Sequence, residues 1–134
     1  AEVRDSMERA NSAVVPTRRL TGVDAAYWCA IGEKRHLRWA MPHEEDGLLD
    51  ALARLHARGG LALADGTRYV GAFRCDGLVV PVWDLPPGTD ADAVEKPAVE
   101  FAQRLGEALA DDAPLTALER GARAGVVSRQ LTLR

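Results

Sequence analysis

Apolar residues recur at helical spacing from the start of the chain, where Val3, Met7, Ala10 and Val14 form one stripe. The spacing predicts a helix over residues 1–14 that stops before Pro16. The period then shortens. Runs at 17–21, 26–31 and 36–41, separated by residues 22–24 and 32–35, read as a three-stranded meander. In the third run Leu37, Trp39 and Met41 alternate with His36, Arg38 and Ala40, as a strand with one buried face requires. Pro42 closes it, and Glu44, Glu45 and Asp46 precede Leu48, Leu49, Leu52 and Leu55. Acid first and leucine after is the order of a helix, which Gly59 and Gly60 would end.

Runs at 68–75 and 78–85 meet at Asp76-Gly77, the dipeptide suited to the positive φ values of a tight hairpin turn. The second run, Leu78-Val79-Val80-Pro81-Val82-Trp83, is apolar on both faces, so either both sides are covered or Pro81 marks a sheet edge. After the Pro86-Pro87-Gly88 loop, Pro97 reads as the first turn of a helix carrying Ala98, Phe101, Leu105 and Leu109. Thr116 and Glu119 have capping-box spacing and announce a short last helix, while residues 130–133 read as a strand or a tail. The order α-β-β-β-α-β-β-α predicts a single α+β domain over residues 1–134. Its core would be a mainly antiparallel sheet of about five strands with helices on one face. Tyr27, Trp39 and Pro42 are echoed by Tyr69, Trp83 and Pro86, the pattern of a ββα duplication in which both tryptophans anchor the core.

Composition narrows the chemistry. The 134 residues are 47% hydrophobic and 28% charged, which excludes a disordered chain. No apolar run reaches the roughly 18 residues of a membrane span, and no signal-peptide pattern opens the chain, so no membrane association and a cytoplasmic location are expected. A net charge of -3 excludes a surface that is basic throughout, leaving room only for a local patch for nucleic acid. Cys29 and Cys75 are isolated, which removes a zinc site built on paired cysteines and reads as two small half-buried thiols. His43-Glu44 opens like a zincin helix, but Gly47 stands where the second ligand belongs. A serine elbow, a phosphate loop and a dinucleotide fingerprint are all missing. His56 lies between Arg54 and Arg58 on what reads as a solvated helix face. No catalytic residue, metal or cofactor is therefore assigned, and an enzymatic reading has only Asp84 and Arg68 to stand on.

The most distinctive cluster is basic. Lys34, Arg35, His36 and Arg38 share one hairpin, Arg18 and Arg19 the adjoining strand, and Arg68 and Arg74 the later one. Beside Trp28, several of them on one sheet face would accept an acidic peptide or a nucleic-acid backbone. Arg18, Trp28, Arg35, His36, Arg38, Arg68 and Arg74 are accordingly the candidate partner-binding residues.

The stretch Arg19-Leu20-Thr21-Gly22-Val23-Asp24-Ala25-Ala26-Tyr27-Trp28-Cys29 resembles the C-terminal part of an uncharacterised actinobacterial protein family. Val80-Pro81-Val82-Trp83-Asp84-Leu85-Pro86 and the ending Ser128-Arg129-Gln130-Leu131-Thr132-Leu133 fit it too. The resemblance implies the C-terminal domain of a longer protein, and it supplies no catalytic residues, since the family is a domain of unknown function. The name topoisomerase II has been attached to similar proteins, but this chain carries no ATP-binding motif and no framed catalytic tyrosine. The order of elements is also similar to that of the type III secretion chaperones, which implies client binding along a sheet and dimerisation. The expected function is a non-catalytic binding or interaction domain, a homodimer or module that engages a protein through the open sheet face or an edge near Pro81. The alternative is a nucleic-acid-associated accessory domain using the arginine-rich hairpin.

Overall fold

Two tight turns set the frame of the sheet. Asp76 and Gly77 both have positive φ, 51° and 82°, which matches the strand twist and closes the hairpin of β4 (Arg68–Cys75) and β5 (Leu78–Leu85). In the other hairpin, β2 (Ala26–Ile31) and β3 (Lys34–Trp39), the turn is Gly32-Glu33 alone, with φ of 61° at the glycine. Ile31 pairs with Lys34, so β3 begins two residues earlier than the apolar pattern indicates. A computed structural model describes residues 17–128; the helix expected over 1–14 and the segment 130–133 lie outside the described residues.

The remaining elements are β1 (Thr17–Arg19), α1 (Glu45–Ala57), α2 (Ala91–Ala110) and α3 (Ala117–Ser128). The five strands form one antiparallel sheet in the order β1-β2-β3-β5-β4. The fold is α+β, and its two ββα units, β2-β3-α1 and β4-β5-α2, meet where β3 pairs with β5. The tryptophan echo follows that arrangement, but the tyrosines do not. Tyr27 pairs with Arg38, whereas Tyr69 pairs with Trp83, so the two rings face opposite sides of the sheet.

Pro81 does not mark an edge, because β5 lies between β3 and β4 and the proline is fully buried. The β3 ladder onto β5 covers Arg35 to Arg38 and resumes only as a bridge from Met41 to Val79. The missing N–H thus falls in a gap of the ladder, where a proline is tolerated inside a sheet.

The three helices of the described residues serve one face. Glu44 caps α1 by accepting from the backbone N–H groups of Asp46 and Gly47 at 2.9 and 2.8 Å. Thr116 and Glu119 form a reciprocal capping box at the start of α3, with distances of 2.9 and 3.1 Å. α2 corrects the expectation for Pro97. The helix starts at Ala91 behind the Asp90 cap, and Pro97 stands in its interior. What outweighs the lost backbone bond is a buried stripe two turns longer than expected, adding Ala91 and Val94 to Ala98, Phe101 and Leu105. Trp39 and Trp83 are core anchors as the pattern indicates: Phe101 packs 5.8 and 5.1 Å from them, and Tyr69 closes on Trp83 at 5.8 Å. The Trp83 indole donates to the Leu61 carbonyl at 2.9 Å, which satisfies its polar atom inside the core.

Candidate functional site

The pairing register sorts every strand residue onto one of two faces. Arg18, Trp28, Arg35, Leu37, Trp39, Trp83, Tyr69 and Arg74 face the helices. Arg19, Tyr27, Cys29, His36, Arg38, Val80, Val82, Phe73 and Arg68 face the other way. The candidate set is therefore divided, with Arg18, Trp28, Arg35 and Arg74 on one side and His36, Arg38 and Arg68 on the other.

The helix-side members are engaged within the molecule. Arg18 donates to Asp92 of α2 at 3.0 Å, and Arg74 holds Glu45 at the start of α1 through two nitrogens. Trp28 is half-buried and its indole donates to the Thr89 carbonyl at 2.9 Å, fixing the loop that leads into α2. Arg35 lies over the Trp28 ring, 6.0 Å from its centroid, and donates to the carbonyls of Gly32 and Lys34. These contacts bind strand ends to helix starts.

The same layer explains the Thr21-Gly22 string. Glu95 of α2 accepts from the backbone N–H groups of Thr21 and Gly22 at 2.8 and 2.9 Å, and these bonds hold its carboxyl below the usual glutamate range. A side chain at Gly22 would meet Val99 at 2.9 Å, so the loop needs glycine to approach the helix. Arg54, expected on a solvated face, is buried; it donates to the Ala113 carbonyl and lies 3.7 Å from Asp111.

Among the described residues, no helix packs on the opposite face. A groove of about 360 Å³ runs along it, lined by Tyr27, Cys29, Arg38, Phe73, Leu78 and Val80 among others, and none of the described residues in its wall is helical. Tyr27 is 38% exposed and Ile31 41%, the large apolar side chains that this face leaves open to solvent. Around the groove, Arg19 and Arg38 stand either side of Tyr27 in cross-strand register. Neither has an ion-pair partner among the described residues, whereas Arg18 and Arg74 of the helix side each hold a carboxylate.

The Asp84 and Arg68 pair singled out in the sequence does form on this face, as part of a longer row whose other members, Cys29 and His36, the sequence did not connect to it. Cys29 pairs with His36, His36 with Asp84, and Asp84 with Arg68, so thiol, imidazole, carboxylate and guanidinium lie side by side. His36 Nδ1 is 2.9 Å from Asp84 Oδ1, and Arg68 reaches Asp84 Oδ2 at 3.1 Å. The order is that of a cysteine nucleophile with its base and orienter, but the chemistry is different. The Cys29 thiol points to the His36 backbone carbonyl at 3.8 Å, and burial pushes its pKa up despite the nearby Arg38. Nucleophilic cysteines need the reverse shift, so the row acts as cross-strand pairing. Among the described residues no group of three or more His, Cys, Asp and Glu could hold a metal ion, and no helix is long and apolar enough to cross a membrane.

No curated protein and no solved structure matches this chain. The model of the Family of unknown function (DUF5926) matches residues 1–134, its whole length. With the sheet, its helix layer and its uncovered face described, this is the family to which the chain belongs.

Proposed function

We propose that this chain is a non-catalytic interaction domain that binds a protein, or a second copy of itself, on the face of the sheet opposite the described helices. The observation that carries the reading is the apolar groove from Tyr27 to Leu78, flanked by Arg19 and Arg38. Arg38 in the wall and Arg19 beside it, neither ion-paired among the described residues, suit carboxylates of a partner whose apolar side chains fill the groove, with Asp76 the one carboxylate among the described lining residues. The free thiols of Cys29 and Cys75 suit a reducing, cytoplasmic setting. The nucleic-acid alternative draws on the same face through Arg19, Lys34 and Arg38. The apolar lining favours protein, because a phosphate backbone gains nothing from Val80 and Phe73.

The test is affinity isolation of the native full-length protein from its own cells, with and without nuclease, beside a Tyr27→Ala/Leu78→Glu variant of matched thermal stability. A nuclease-resistant protein that the variant fails to retain is the expected result. Equal retention by both forms overturns the reading, and capture that nuclease abolishes transfers the face to nucleic acid.

A further inference from the structure

We infer that the groove lined by Arg38 and Val80 is a site for a small amphiphilic monoanion, a carboxylate on an unbranched apolar chain. Its head lies on Arg38, and its chain runs over Val80 and Phe73 toward Leu78. The inference rests on the reading of this face as a binding surface and names a second class of ligand for it, one that competes with a protein for the same floor. Three observations converge. The first is size and lining. The groove holds about 360 Å³, within the roughly 300–1,000 Å³ of small-molecule sites. Val80 is buried on its floor beside half-buried Phe73, its cross-strand partner, and Ala40 and Leu78 continue the apolar lining.

The second is charge. Arg38 is the one cation among the described lining residues, and it is half-buried. On the same face Arg68 and His36 both meet Asp84, whereas Arg38 has no ion-pair partner among the described residues. Its charge acts inside the groove: burial pushes the pKa of the Cys29 thiol up, and Arg38 pulls it the other way. A half-buried guanidinium gains most from an ionised acceptor, and its planar fork matches a carboxylate.

The third is length and polarity. Arg38 pairs with Val82, and Leu78 lies four positions away along β5, a run of about 13 Å that an extended chain of about ten carbons covers. Beyond Leu78 stands Asp76 in the hairpin turn, the one carboxylate among the described lining residues. A second carboxylate at the tail of the ligand meets Asp76 there, and a cationic head meets Arg38, so both are repelled. The groove therefore selects a single negative charge at a single end.

Decanoate is the probe, kept below its micelle-forming concentration and titrated into the full chain by calorimetry, with amide resonances followed by NMR to locate it. The expected result is saturable one-to-one binding with the largest shifts at Arg38, Phe73 and Val80. Decanoate should bind about tenfold or more tighter than decylammonium or decanedioate. Arg38→Gln should leave decanoate no tighter than decanol, and Asp76→Asn should bring decanedioate toward decanoate. Absence of saturable binding, shifts centred on another surface, equal affinity for decanoate and decylammonium, or an Arg38→Gln chain that binds as the natural one does each overturn the inference. Arg38→Lys keeps the charge and guards against misfolding: it should still prefer decanoate to decylammonium. Loss of that preference in Arg38→Lys as well as in Arg38→Gln assigns Arg38 to the fold and overturns the inference. If decanoate fails to bind while nuclease-resistant partner retention still depends on Tyr27 and Leu78, the interaction reading stands alone. If decanoate binds through Arg38 and retention is indifferent to Tyr27 and Leu78, that reading falls and the groove is a small-molecule site.

Discussion

At the scale of single residues the chain is most instructive at Glu95. Its carboxylate reaches back more than seventy positions to accept two backbone bonds from Thr21 and Gly22, and Gly22 is small because Val99 lies against it. Replacing Glu95 by Gln keeps the shape but turns an N–H donor toward a donor, and the loop is accessible to water. A loss of about 1 kcal/mol is expected, read as a lower urea midpoint at neutral pH. The pH dependence has a definite sign. Because the folded pKa lies below the ordinary value of 4.5, the stabilisation is complete above that value and fades as pH falls through the folded pKa. The gap between the natural chain and Glu95→Gln should therefore narrow below pH 4.5. A gap constant down to strongly acid pH would show that the carboxylate charge is irrelevant there. None of this was legible in the sequence, where the Thr-Gly-Val-Asp string looks distinctive but its partner lies on a distant helix.

At the scale of elements, legibility followed the range of the determining interaction. Asp76-Gly77 and the Thr116/Glu119 box were readable because turn and cap chemistry act over two to four residues, and both form as expected. Pro97 misled because its local preference for a first turn was overridden by burial of Ala91 and Val94 against the core. That override leaves a measurable residue. An interior proline removes one helix bond and crowds the preceding turn, so Pro97→Ala should stabilise the protein by about 1–3 kcal/mol in urea unfolding. An unchanged or lowered midpoint would mean that the proline costs the helix nothing at this position. Pro81 is the complementary case. The apolar run on β5 left open whether both its sides are covered or Pro81 marks an edge, and only the β3-β5-β4 order shows that the proline occupies a ladder gap inside the sheet.

At the scale of the whole molecule, the division of the arginines decides how the protein divides its labour. Parity along β3 already set His36 and Arg38 opposite Leu37 and Trp39, while Arg35, read as part of the turn, was placed by the pairing register across the strands, which no local pattern contains. The result is an arginine-stitched helix layer on one face and, on the other, the groove that the proposed function assigns to a partner. Arg54 carries much of the stitching, and its signal was faint, since an arginine near the end of a helix usually points to solvent. Here it is 6% exposed and joins α1 to the connection between α2 and α3, while Arg123 of α3 reaches back to Asp50 at 2.7 Å. Arg54→Ala would leave the Ala113 carbonyl and part of Asp111 without their buried donor, at a cost of about 3 kcal/mol. That cost should not spread evenly. Amide exchange is expected to rise first across Ala117–Ser128, which depends on this anchor, and last in β3 and β5, whose bonds rest on the Trp39, Trp83 and Phe101 cluster. Faster exchange in all elements at once would make Arg54 a support of the entire fold. If instead α3 loosens alone while partner retention on the far face persists, the two faces are independent in energy as well as in geometry.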